Sequence, residues 1–111
     1  MADEVEREVP EGAAVFPVIP EELGVDPLLL AVLHATVFLD GSEKKIVNPA
    51  AAQEMMEYLI DYLRRLKGPR LQQVREDFAC LAAYAREQEW PKMQVRFLKE
   101  FLDNYEIGKE D

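Results

Sequence analysis

The sequence predicts an all-α fold, a compact bundle of about four helices preceded by an extended acidic N-terminal arm. Three observations predict it. Apolar residues recur three and four apart over long segments, the period of a helix with one buried face. A short polar residue followed by proline opens two of those segments, and glycine or proline closes them. Outside residues 15–19, no stretch alternates with the period of two that a half-buried strand needs.

A chain of 111 residues has the size of one domain and can bury a core without staples. With 49% apolar and 32% charged residues, it has too much to bury to remain unfolded throughout. The single cysteine, Cys80, rules out an intrachain disulfide and fits a reducing compartment, so a cytoplasmic location is expected. The chain opens Met1-Ala2-Asp3-Glu4, acidic where a secretory leader would be basic. The longest apolar run, residues 28–39, falls short of the roughly 20 residues a bilayer span requires. Neither a leader nor a membrane segment is expected.

The net charge of −9 is unevenly placed. Residues 1–22 carry seven acids and one base, a net of −6, and the remainder carries only −3. That segment reads as an acidic arm, disordered or extended: residues 1–20 have no helical period and are punctuated by Pro10, Pro17 and Pro20, and the first dozen are expected to be disordered. Within it, residues 13–20 are apolar and interrupted by proline, so they should be extended and packed on the core or on another chain.

The bundle domain covers residues 23–107. Asp26 and Pro27 open the first helix, which runs to about residue 40, stops at Gly41 and is apolar on nearly every side. A helix of that kind is central in its fold or covered by a second chain. After a polar connector, Asn48 and Pro49 open the second helix, expected to reach Lys67 before the stop at Gly68-Pro69. Its stripe is Met55, Met56, Leu59, Ile60, Leu63 and Leu66. The third helix, from about Leu71 to Gln88, carries a seam of Leu71, Val74, Phe78, Leu81 and Ala85. Trp90-Pro91 breaks the chain, and the fourth helix runs from about Pro91 to Tyr105. It bears two stripes, Val95, Leu98, Leu102, Tyr105 and Met93, Phe97, Phe101. Residues 108–111 should fray. Because only three residues separate the second and third helices, their hairpin is the expected closest contact.

Little in this chain points to chemistry. His34 is alone on an apolar helix and reads as a structural side chain. Cys80 lies among core residues without a neighbouring base in sequence. Glu54, Glu57 and Asp61 share a face of the second helix, opposite Glu76 and Asp77 if the third returns alongside. The Glu-x-x-His element of di-iron bundles is absent, and Arg64 and Arg65 give Asp61 ordinary partners. No phosphate loop or catalytic elbow is present. No catalytic residue, cofactor or metal is assigned, and an enzyme is not expected.

Two sets of residues remain. Phe16, Val18, Ile19, Tyr58, Tyr62, Trp90, Met93, Phe97 and Phe101 exceed what one small core needs and are expected to meet a protein partner or a second copy of the chain. Arg64, Arg65, Lys67, Arg70 and Arg75 form a basic cluster at a hairpin tip, explained either by the helix macrodipole or by binding of an anion. The preferred expectation is a helical protein-interaction module, self-associating or part of a larger complex. The alternative is a regulatory nucleic-acid or phosphate-binding domain using the hairpin at residues 64–75. The acidic balance weighs against nucleic acid and against a membrane surface as partners.

Overall fold

The computed structural model describes residues 9–109. The expectations for residues 1–8 and for the last two residues lie outside that range. After a 3-10 turn (Glu21–Leu23) come four helices: α1 (Pro27–Gly41), α2 (Pro49–Leu63), α3 (Gly68–Glu87) and α4 (Lys92–Asn104). Among the described residues there is no strand, and no helix is long and apolar enough to cross a membrane.

Two helices start as their sequence dictates. The Asp26 carboxylate accepts from the Leu28 N–H at 2.9 Å, with Pro27 following it. The Asn48 side chain accepts from the N–H groups of Ala50 and Ala51 at 2.9 and 3.1 Å. Each cap satisfies donors that the first helical turn leaves without partners.

The joint between α2 and α3 differs from expectation. α2 ends at Leu63, four residues early, and its end tightens through Arg65 N–H to Tyr62 and Leu66 N–H to Leu63, at 3.0 and 3.1 Å. Gly68 and Pro69 are then the first two residues of α3 rather than a stop. Proline suits that place because a first-turn N–H has no helical partner to lose, and Gly68, at φ +62°, supplies the reversal. The close helix pairs are α1 with α2 and α3 with α4, and the expected α2–α3 pair is not among them.

α3 and α4 close in the same way. Glu89 and Glu106 take left-handed conformations at φ 59° and 58°. Trp90 N–H reaches back to Ala85 O at 2.9 Å, and Ile107 N–H to Leu102 O at 2.8 Å. These are Schellman closures, in which the residue after the left-handed one turns inward. Ile107 is buried as a result and Trp90 packs on the core.

Residues 13–20 form neither helix nor strand, and the segment is held at its start. Glu43 N–H donates to Gly12 O at 2.8 Å, and Ala14 N–H donates to Ser42 Oγ at 2.9 Å. A Cβ at Gly41 would lie 2.9 Å from that of Ala14, so the approach requires glycine there. Gly41 is thus the last residue of α1 and a contact point for the arm. Further on, Phe16 enters the core between His34 and Trp90.

The core joins Phe16, Val25, Leu29 and Leu33 to Leu71, Phe78, Leu81 and Ala85 of α3 and to Leu98 and Phe101 of α4. On α4 the buried line takes one residue from each expected stripe. α1 is less enclosed than its composition suggested, since Leu28 and Phe38 are exposed. α2 buries Ala52, Met56 and Ile60 outside that main cluster, and only Leu63 and Leu66 at its end pack against it. It is therefore a peripheral helix. Thr36, fully buried in α1, has a hydroxyl that finds no hydrogen-bond partner among the described residues.

Candidate functional site

The residues weighed for chemistry are placed apart. His34 meets the Phe16 ring edge-on, with centroids 5.3 Å apart. The Cys80 thiol points to Leu23 O at 3.9 Å. Asp77 is buried and accepts from Asp26 N–H at 3.3 Å and from Gln73 Nε2 at 3.1 Å, which ties α3 to the start of α1. Glu76 accepts from Gln72 Nε2 at 3.2 Å. Glu57 and Asp61 instead line a cleft on α2, so the two sets of carboxylates serve different elements. Among the described residues, no three His, Cys, Asp or Glu side chains gather as a metal-binding group.

That cleft, about 480 Å³, runs along α2 beside the end of α1. Arg64 and Tyr105 close it, with Arg64 Nε donating to Tyr105 O at 3.0 Å. Burial raises the Tyr105 phenol above its ordinary value, and the negative charge of Asp40 adds to the shift.

The expected partner-facing residues divide by burial. Phe16 at 3% exposure and Phe101 at 1% are interior, a correction to their reading as contact residues. Phe16 fills the gap between α1 and the α3–α4 turn, and Phe101 stacks on Phe78 at 5.0 Å. Ile19, Trp90 and Phe97 are half-buried against the core. Val18, Tyr58, Tyr62 and Met93 are exposed. Of these, Tyr58 and Tyr62 form a face, because Met55 and Leu59 stand with them at i, i+3, i+4 and i+7 on α2. Met55, Tyr58 and Tyr62 are 48%, 55% and 60% exposed. Arg65 lies over the Tyr62 ring at 4.7 Å.

The basic cluster also divides. Arg65, Lys67 and Arg70 line one shallow pocket with Tyr62 and Leu66. Arg64 turns to Tyr105, and Arg75 lines a different cleft beside Gly108 and Lys109.

One group escaped the sequence reading. Lys92, Arg96 and Lys99 fall at i, i+4 and i+7 on α4, and Arg86 at the end of α3 joins them around Trp90. Attention to apolar stripes on α4 hid this basic line, although its spacing was legible.

The fold and its surfaces define a small four-helix protein with a docked N-terminal strip and a peripheral second helix. The sequence matches no protein-family model, and neither a curated protein nor a solved structure matches it.

Proposed function

We propose that the protein is a non-catalytic helical interaction module of the cytosol that self-associates through the outer face of α2, alone or as a subunit of a larger complex. The observation that carries this reading is the exposed line Met55, Tyr58 and Tyr62, with Leu59 half-buried beside it, on a helix whose other side already packs on α1. Tyrosine supplies large contact area at modest cost in conformational freedom, and methionine adapts its shape to the facing surface.

The charges of α2 favour a second copy as the occupant. Glu54, Glu57 and Asp61 lie in its body and Arg64, Arg65 and Lys67 at its end. Antiparallel pairing sets the acids of one copy against the bases of the other, whereas parallel pairing opposes like charges. Arg65 lies just past the end of α2, and an antiparallel pair centred between Leu59 and Ile60 sets Glu54 against Arg65 of its mate. A stable interface needs on the order of 1,200 Å² in total, so neighbouring surface must take part.

Sedimentation across a concentration series tests the reading. We expect a dimer that Tyr58→Glu with Tyr62→Glu converts to monomer. Glu54→Lys should weaken it, and adding Arg65→Glu should restore it. A monomer at the highest soluble concentration would remove the proposal.

A second reading, binding of nucleic acid or phosphate at the hairpin, rests on Arg65, Lys67 and Arg70 sharing one pocket. It requires salt-sensitive retention on heparin that Arg65→Gln with Arg70→Gln abolishes.

A further inference from the structure

We infer that the cleft between the end of α3 and the exposed side of α4 binds a small phosphate-bearing molecule, one with a di- or triphosphate group and an apolar or planar body. This site is separate from the α2 face and does not depend on it.

The cleft measures about 380 Å³. Arg86, Lys92, Arg96 and Lys99 line it, with a single acid, Glu100. Among the described residues, none of these four cations makes an ion pair. A solvated helix face ordinarily alternates its signs, because opposite charges three or four apart stabilise it and like charges oppose it. Here Lys92 and Arg96 are four apart, Arg96 and Lys99 three apart, and all are positive. Lys92 also stands at the first residue of α4, where the helix macrodipole disfavours a cation. Three cations in locally unfavourable positions, in a chain of net charge −9, gather around one concavity. Glu100, four residues after Arg96, offsets part of this charge, and the positive excess that remains around the cleft points to a ligand that balances it.

The donors fix the ligand's chemistry. Two guanidinium groups and two ammonium groups need several negative charges, and arginine forks match phosphate oxygens. Trp90 and Val95 form an apolar wall of the same cleft. Trp90 is itself held in place, edge-on to both Phe16 and Tyr84. A flat or apolar body attached to the phosphates would lie against that wall.

Trp90 is the only tryptophan, so its emission reports this cleft directly. The full chain is titrated with inorganic tripolyphosphate and, separately, with ATP. We expect a saturable change with a dissociation constant tighter than about 1 mM, weakening as salt is raised. Arg96→Gln with Lys99→Gln should lower the affinity about tenfold or more. These side chains are exposed, and circular dichroism verifies that the variants keep their helices. Tighter binding of ATP than of tripolyphosphate supports a body seated on Trp90. Equal binding supports the site through its phosphate contacts alone. No response to either probe overturns the inference. So does a response that survives Arg96→Gln with Lys99→Gln but disappears on Arg65→Gln with Arg70→Gln at the hairpin.

Discussion

The ring of Phe16 stands edge-on to the indole of Trp90, with centroids 5.7 Å apart and planes at 85°. This contact joins the N-terminal strip to the turn between α3 and α4, elements more than seventy residues apart in sequence. It also brings the strip against His34 on α1, so one side chain ties three parts of the fold.

Phe16→Ala should therefore cost about 3–5 kcal/mol, the range for truncating a buried aromatic. That is a large part of the stability of a domain this size. Urea unfolding measures it, and limited proteolysis should show earlier cleavage in residues 13–20. An unchanged midpoint would mean that the strip contributes nothing to the core.

Asp77 anchors α1 from a distance by accepting the Asp26 N–H. Asp77→Ala leaves that donor without its partner and should cost about 1–3 kcal/mol. Asp77→Asn keeps an oxygen acceptor but loses the charge that favours a helix N-terminus, so it should fall between alanine and wild type. Ranking the three by thermal unfolding checks the order.

Glu89 and Glu106 occupy left-handed positions that cost an L-residue roughly 1–2 kcal/mol. Replacing either with glycine removes that strain but adds freedom to the unfolded chain, for a net gain of about 0.5–1 kcal/mol each. They lie at opposite ends of α4, about 20 Å apart along its axis. The two gains should then add, as a double variant in a denaturant series would show.

Tyr105 gives the protein a pH dependence on the alkaline side. Its phenol is raised in the folded state by burial and then by Asp40, above the ordinary value of about 10. The folded chain thus keeps a proton that the unfolded chain has already released. This contribution is complete below pH about 10 and is lost as pH rises through the folded value. Tyr105→Phe should flatten stability against pH in that window, and Asp40→Asn should make the loss smaller and complete it at a lower pH. Stability measured across alkaline buffers reads both effects.

Much of the architecture was written locally. The caps at Asp26 and Asn48, the prolines behind them and the apolar period determined where α1 and α2 begin and which side of α3 is buried. That residues 13–20 form no helix followed from their prolines. For the surfaces, the sequence supplied the tyrosine line of α2 and the cations of the hairpin, because residues on one helix keep fixed spacing.

Only the tertiary structure decided how these pieces meet. Gly68-Pro69 has the composition of a stop, yet it starts α3, since a proline is equally at home just before or just inside a helix and packing chooses between them. The short connector did not make α2 and α3 a close pair, and the main core joins α1, α3 and α4 instead. Phe16 and Phe101 carry the same side chain as a contact residue would, and only the elements around them made them interior. Gly41 had the place of a helix stop, and the arm's approach to within 2.9 Å gave it its actual use. Sequence period fixes which residues share a face of one helix. Which face meets water depends on every other element, and that is settled by the total surface buried rather than by any local pattern.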